Sequence, residues 1–408
     1  MATNSSLSDK EIIGKLVNKE IKFYEIDDLV GETRASKIRL CAIQKILNIN
    51  LPTISSYSIS PENCKSNIEN MIGAAQVPIG IAGPIKINGE FAKGEFFLPL
   101  ATTEGALVAS INRGCSLISK SGGATACILK SAQTRSLLFK AKSVKYTKRF
   151  VLWVEKNYNK LKEIAESTSN HLALIRIKPY VVSTNIWLRL EADTGEAMGM
   201  NMLTIAGKEV GDYIEKEVDF IEFVSESGNL CVDKKPAAIN LFEGRGKSVL
   251  AEVLIEKDIV EKYLKTSPEN IVDLNYRKNY LGSALAGSLG YNAHFANTVA
   301  AMYLAAGQDM AHVVEGSLGL TTAEIQEDKL YFSITLPCLQ VGVIGGGTRI
   351  ETQKECLKIL GVDQATENGS NSKKLAEIIA AAVLAGELSL LGAQAAGHLA
   401  KAHKRLNR

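Results

Sequence analysis

Four short runs place ionisable side chains among small apolar neighbours. Glu104 lies in "LATTEGALVAS", Lys234 and Lys235 in "CVDKKPAAIN", Asp309 in "AAGQDMAH", and His398 and His403 in the closing "AAGHLAKAH". Groups of these types, held away from bulk water, are the ones that acid–base chemistry uses. Taken singly, each residue has a plain reading. Glu104 suits a first helical turn, Asp309 a cap, His403 a solvated helix end, and Lys234 a pair with Asp233. Taken as a set they are more telling, because clustering would share the cost of burial. A buried carboxylate and a buried ammonium each lose hydration unless they pair, and pairing shifts pKa values as acid–base chemistry requires.

Other runs imitate known sites. "GRGKS" (244–248) ends like a phosphate loop, but that motif needs glycine where Leu241 stands, so a nucleotide hydrolase has little support. "GSALAGS" (282–288) has glycine spacing without lysine, and "GVIGGGT" (342–348) does not satisfy the dinucleotide fingerprint of a Rossmann domain. Three consecutive glycines still let a backbone approach a ligand closely.

The elements that must position these groups are legible in outline. The chain of 408 residues is long enough for two or three domains. At 46% hydrophobic and 22% charged it has an ordinary globular composition. A net charge of +3 gives no global case for a nucleic-acid or membrane partner. The seven cysteines are scattered, which argues against a disulfide framework or a zinc ribbon, and no metal-ligand motif stands out. The polar N-terminus lacks a signal region, and the apolar run 378–386 is only nine residues between glutamates. These features predict a soluble cytoplasmic protein. Residues 1–67 predict a helical appendage. Residues 68–136 and 227–408 are Gly- and Ala-rich and predict one large domain. The uncharged run 279–308 is its natural central helix. Residues 137–226 predict a small inserted α+β domain, with a strand and an amphipathic helix over 143–168 and then a β-rich stretch.

"ENMIG", "VPIGIAGP", "ATTEGALVASINRG", "GEAMGMNM", "DKKPAAIN", "EGRGKSV", "GYNAHFAN", "GQDMA", "GGGT" and "AAGHLAKAH" occur in that order. Over roughly residues 68–408 they closely resemble 3-hydroxy-3-methylglutaryl-coenzyme A (HMG-CoA) reductase. "DKKPAAIN" and "GQDMA" resemble the class I branch, of the soluble bacterial or archaeal type. The resemblance implies a four-electron reduction from thioester through thiohemiacetal and mevaldehyde to mevalonate, with two NADPH consumed. It makes Lys234 the cation at the thioester oxygen, Glu104 the proton donor, Asp309 their electrostatic link and His403 the acid for the departing CoA thiolate. Arg135, Ser227, Asp233, Lys235 and Lys278 match residues that hold the HMG moiety, Asn297 stands near them, and Arg113, His294 and His398 fall on the substrate and CoA side. Met198, Gly199, Met200 and Asn201 match the cofactor signature, with Glu196 where many relatives have Asp. Gly345, Gly346, Gly347 and Thr348 match its Gly-rich wall. Ser169 and Asn170 fall where a Ser-Arg pair would face the 2′-phosphate of NADPH. Because a lost arginine fork weakens phosphate binding, NADH use stays open. The implied fold is α+β: a large domain around a long central helix, a ferredoxin-like inserted cofactor domain, and a helical N-terminal region. The implied assembly is a homodimer with shared active sites, paired in some enzymes into a tetramer, and "ENMIG" (69–73) matches its dimer motif. The competing class is a CoA-thioester enzyme without redox chemistry, which would need no cofactor signature.

Overall fold

A 26-residue helix, Ser370–Ala395, runs through the middle of the larger core. The computed structural model describes residues 7–366 and 368–397. This helix, not the run 279–308, is the central one. Residues 279–308 are instead broken into a π-helical stretch ending at Gly282, one turn Ser283–Ala286, a loop, and the helix Phe295–Ala305. Gly287, at φ +67°, ends the early part. By length and composition Ser370–Ala395 would cross a membrane, but 94% of its apolar window is buried inside the protein.

Two glutamates lie inside this helix, at positions 377 and 387. Both are buried, and both are satisfied by backbone N–H groups from outside the helix. Glu377 accepts from Glu90, Phe91 and Ala92 at 3.1, 2.9 and 2.7 Å. Burial pushes its carboxyl above the ordinary range, and those three N–H groups oppose the shift. Glu387 accepts from the N–H groups of Ala293 (2.6 Å) and His294 (3.1 Å), and from the side chains of Thr321 and Asn279.

Small residues let neighbouring helices close on the central one. A Cβ on Gly114, in the helix Leu107–Lys120, would lie 2.0 Å from the carbonyl oxygen of Ala385. Gly114→Val should therefore force the helices apart and cost roughly 1–3 kcal/mol or more. Denaturant unfolding checks this; an unchanged midpoint would show that the crossing has slack.

Among the described residues nine strands form two antiparallel sheets. β1 (Ile79–Asn88) and β2 (Lys93–Ala101) make a hairpin whose turn receives Glu377. The larger sheet contains β3 (Thr125–Ala141), β4 (Ala173–Val182), β5 (Asn185–Asp193), β6 (Ile221–Ser225), β7 (Gly246–Ile255), β8 (Leu320–Gln326) and β9 (Lys329–Leu339). Its order is β4-β5-β3-β7-β9-β8, with β6 also paired to β3. The 17-residue β3 serves two cores. Its first part pairs with β7 over the large core, and its second part pairs with β5 and β6.

The second core runs from Leu137 to Ile221. The stretch after β3 differs from the predicted strand and helix. It is two helices, Val144–Lys156 and Tyr158–Ser167, broken at Asn157. The β4–β5 hairpin, the helix Met200–Glu217 and β6 follow, giving a β-α-β-β-α-β chain with sheet order β6-β3-β5-β4. The N-terminal helices Asp9–Val17 and Glu32–Leu47 share a third, small core of aliphatic side chains. The first is closed by a capping box in which Ser8 and Glu11 exchange hydrogen bonds.

Candidate active site

Lys234 sits on the segment that leads from β6 back into the large core. Its backbone is left-handed, at φ +57°, a conformation that costs a side-chain-bearing residue and needs support. The support is a hydrogen bond from the Lys234 N–H to Glu315 Oε1 at 3.2 Å. The Lys234 Nζ pairs with Asp309 Oδ2 at 2.8 Å, and the two side chains are 42% and 39% exposed. Asp309 also caps its own turn, Oδ1 accepting the Ala311 N–H at 3.0 Å. The Asp309 carboxylate holds the ammonium's proton on and raises the Lys234 pKa. Burial alone would raise Asp309, but the Lys234 ammonium, the Ala311 N–H and neighbouring His312 outweigh it and hold that carboxyl below its ordinary range.

Beneath this pair lies a buried ionic frame. Arg245 bridges Asp233 Oδ1 at 2.9 Å and Glu315 Oε1 at 2.6 Å, with Arg245 and Glu315 fully buried. His312 Nδ1 lies 2.8 Å from the same Glu315 oxygen. Asp233, His312 and Glu315 bring donor atoms within 4.8 Å of one another, a spacing that a metal ion would suit, but the Arg245 guanidinium already bridges the two carboxylates.

A cavity of about 970 Å³ opens over Lys234, Asp309, Asp233 and Arg135. The Nε of Arg135 is buried without a protein partner. The opposite wall is backbone. Residues 197–202 and 342–348 line it together, tied by the Val343 N–H to Glu196 C=O bond at 2.8 Å and by a bridge between Ala197 and Ile344. Gly199, at φ +93°, starts the 18-residue helix Met200–Glu217, and a Cβ there would strike Thr194 at 2.4 Å. That helix has no side-chain cap and no acid in its first turn, so its N–H groups are open to an anion. Gly345 and Gly346, at φ +82° and +54°, have empty space where a side chain would start. An uncapped helix N-terminus facing a glycine wall fits the pyrophosphate of a dinucleotide.

The remaining sequence-predicted residues fall elsewhere. Lys235 Nζ turns back to the Asp233 carbonyl at 3.1 Å, and Ser227 is exposed on the same segment. Glu104 accepts from Asn297 Nδ2 at 3.1 Å, outside the cavity lining. Arg113 donates to Ser389 Oγ and C=O, both at 3.0 Å, and His294 Nε2 is buried without a partner. Lys278 follows Arg277 in the π-helical stretch, next to Asn279 on Glu387. Glu104, Asn297, Arg113, His294 and Lys278 thus neighbour the C-terminal half of the central helix or the segments packed on it. Ser169 and Asn170 lie on the loop before β4, away from the cavity wall. Glu196 does not face the cavity. It is buried and accepts the N–H groups of Thr366, Asn371 and Ser372, so its carboxylate anchors the start of the central helix. His398 and His403 lie outside the described residues.

Three residues of the frame have no counterpart in the sequence reading. His312 and Glu315 follow Asp309 at intervals of three, which puts them on one face of a helical turn, and that spacing was the available signal. Arg245 lay inside "GRGKS", set aside as a failed phosphate loop.

A family model described as hydroxymethylglutaryl-coenzyme A reductase matches residues 35–408. The chain is 53% identical over 404 residues to the 3-hydroxy-3-methylglutaryl-coenzyme A reductase of Methanocaldococcus jannaschii, covering 98% of this chain and 99% of that one. It is 52% identical to the enzyme of the same name from Pyrococcus horikoshii, covering 99% of each. Among solved structures, the class II 3-hydroxy-3-methylglutaryl-CoA reductase from Streptococcus pneumoniae bound to NADPH aligns with a TM-score of 0.66. That alignment covers 97% of this chain and 100% of the other at 17% identity, so the likeness is one of fold. With relatives of matching length above half identity, and a family model that spans most of the sequence, the chain belongs to the hydroxymethylglutaryl-coenzyme A reductase family.

Proposed function

We propose that the chain reduces HMG-CoA to mevalonate and free CoA, consuming two NADPH and two protons. The observation that carries this is the Lys234–Asp309 pair lining the same cavity as the glycine and helix-terminus wall. Residues 198–201 and 345–348 would hold the dinucleotide, and bound NADPH supplies the hydride. Charge that develops on the thioester oxygen needs a fixed cation in a partly desolvated place. Lys234 is that cation, and Asp309 keeps it protonated and aimed. Arg135 and Asp233 line the same space and are placed to hold the HMG carboxylate and hydroxyl. The test is direct: HMG-CoA with NADPH or NADH, followed at the nicotinamide absorbance band. No oxidation with either cofactor would sink the reading.

The β-α-β-β-α-β unit over 137–226 is read as the ferredoxin-like cofactor domain, on its strand order β6-β3-β5-β4. The class I assignment rests on "DKKPAAIN" and "GQDMA"; the Streptococcus pneumoniae structure that shares the fold is named as class II. Glu104, Asn297, His294, Arg113 and Lys278 form the complementary half of a site. Because they lie outside the cavity of their own chain, they are read as completing the cavity of a second copy, in a homodimer that can pair into a tetramer. His403, as the acid for the CoA thiolate, stays with the family resemblance.

Cofactor choice turns on Ser169 and Asn170. Asn170→Arg should lower KM for NADPH relative to NADH by roughly tenfold, because it restores a phosphate fork. Steady-state kinetics with both cofactors measures it; an unchanged ratio would remove this loop from specificity.

A further inference from the structure

One buried oxygen supports both ends of the reacting ion pair. Glu315 Oε1 accepts the backbone N–H of Lys234 at 3.2 Å and lies 2.8 Å from His312 Nδ1. The other ring nitrogen, His312 Nε2, lies 3.6 Å from Asp309 Oδ2, the same oxygen that Lys234 Nζ contacts at 2.8 Å. His312 is 1% exposed, so water does not intervene from bulk. A carboxylate only accepts, so the ring proton sits on Nδ1 and is given to Glu315. Nε2 is then left facing a second carboxylate. Around the ring stand three carboxylates, Asp233, Asp309 and Glu315, and two fixed cations, Lys234 and Arg245. Tyr303 and Cys338 are the further titratable groups near Glu315, and burial pushes both upward, Cys338 to about 12, so neither adds charge.

We infer that His312 is a positioning residue for the reduction, setting the Asp309 carboxylate under Lys234 by linking it to the Glu315–Arg245 frame. This rests on the function proposed above. The ring fills the space beneath Asp309 and ties it to an ion-pair core with one carboxylate in excess. Consistent with that, His312 is among the groups that lower the Asp309 pKa. His312 itself needs no contact with substrate.

The test compares wild type, His312→Gln and His312→Phe for kcat, KM for HMG-CoA, pH profile and thermal midpoint. His312→Phe should lower kcat roughly 10- to 100-fold, as loss of a positioning group does, with KM changed less than threefold. The acid limb of its kcat profile should move to higher pH, because Asp309 is ionised above its depressed pKa and His312 is one of the groups that depress it. His312→Gln keeps a donor for Glu315 without the imidazole ring. It should recover most of the kcat yet retain the shifted acid limb, and it remains informative if the Phe variant fails to fold. Selective 15N-histidine spectra should show the His312 resonance displaced in Lys234→Ala, independent of turnover. Variants with a lower thermal midpoint but wild-type kcat and acid limb would overturn the inference, leaving His312 a packing residue. An inactive wild type would instead overturn the proposed reaction.

Discussion

Lys234→Ala should lower kcat on the order of 10³-fold, the usual consequence of removing a preorganised donor from a developing oxyanion, while KM for HMG-CoA changes little. Two features make the effect large. The ammonium is held by Asp309 at 2.8 Å and its backbone by Glu315 at 3.2 Å, and the adjacent cations Arg245 and Lys235 are committed elsewhere. Arg245 is fully buried and engaged with Asp233 and Glu315. Lys235 points back along its own segment. Steady-state kinetics at saturating cofactor decides it, with Lys234→Arg as a control for charge without shape. If Lys234→Ala keeps turnover within tenfold of wild type, the oxyanion is stabilised by something else.

Mixing two dead chains should bring activity back. Glu104 and Lys234 occupy separate regions of one chain, and only Lys234 lines the cavity. If each site draws Glu104 from one copy and Lys234 from the other, a heterodimer of Glu104→Gln and Lys234→Ala chains has one intact site and one doubly defective site. Random mixing makes half the dimers mixed, so about a quarter of wild-type activity should return, from two chains that are each nearly inactive. Co-expression with two different tags, followed by tandem purification, gives the mixed species and should raise that to about half. Activity that stays at the level of the single variants would mean that each site is built within one chain.

The motifs with strong local character were legible in the sequence: the glycine wall, the run 198–201 before its helix, and the lysine segment with its proline. So were the helix Glu32–Leu47 and the β4–β5 hairpin, whose patterns agree with their structures. What failed was inference about burial. The nine-residue apolar run between Glu377 and Glu387 looked too short to span a membrane, and nothing in it marked its helix as the central one, because a buried carboxylate without a cation is normally costly. The structure meets that cost with backbone N–H groups from the β1–β2 turn and from residues 293–294, which no local pattern announces. Uncharged residues 279–308 looked like one helix for the opposite reason, since lack of charge says buried but not helical. Glu196 was misplaced because its role depends on residues 366–372, far along the chain. His312 and Arg245 were missed because their partners come from separate segments that only the fold assembles.

The strand β3 passes unbroken from one core into the other, so the smaller unit has a stiff stem and no flexible leader on that side. Its return path is the segment after β6, where Asn229, Val232 and Lys234 all have left-handed backbone. The unit is also pinned at a third point, where Glu196 and Ala197 bond to the segments 343–344 and 366–372 of the large core. A displacement of the unit about β3 therefore strains both that tie and the segment that carries Lys234. The placement of the cation and the attitude of the unit that would hold the dinucleotide are mechanically one variable.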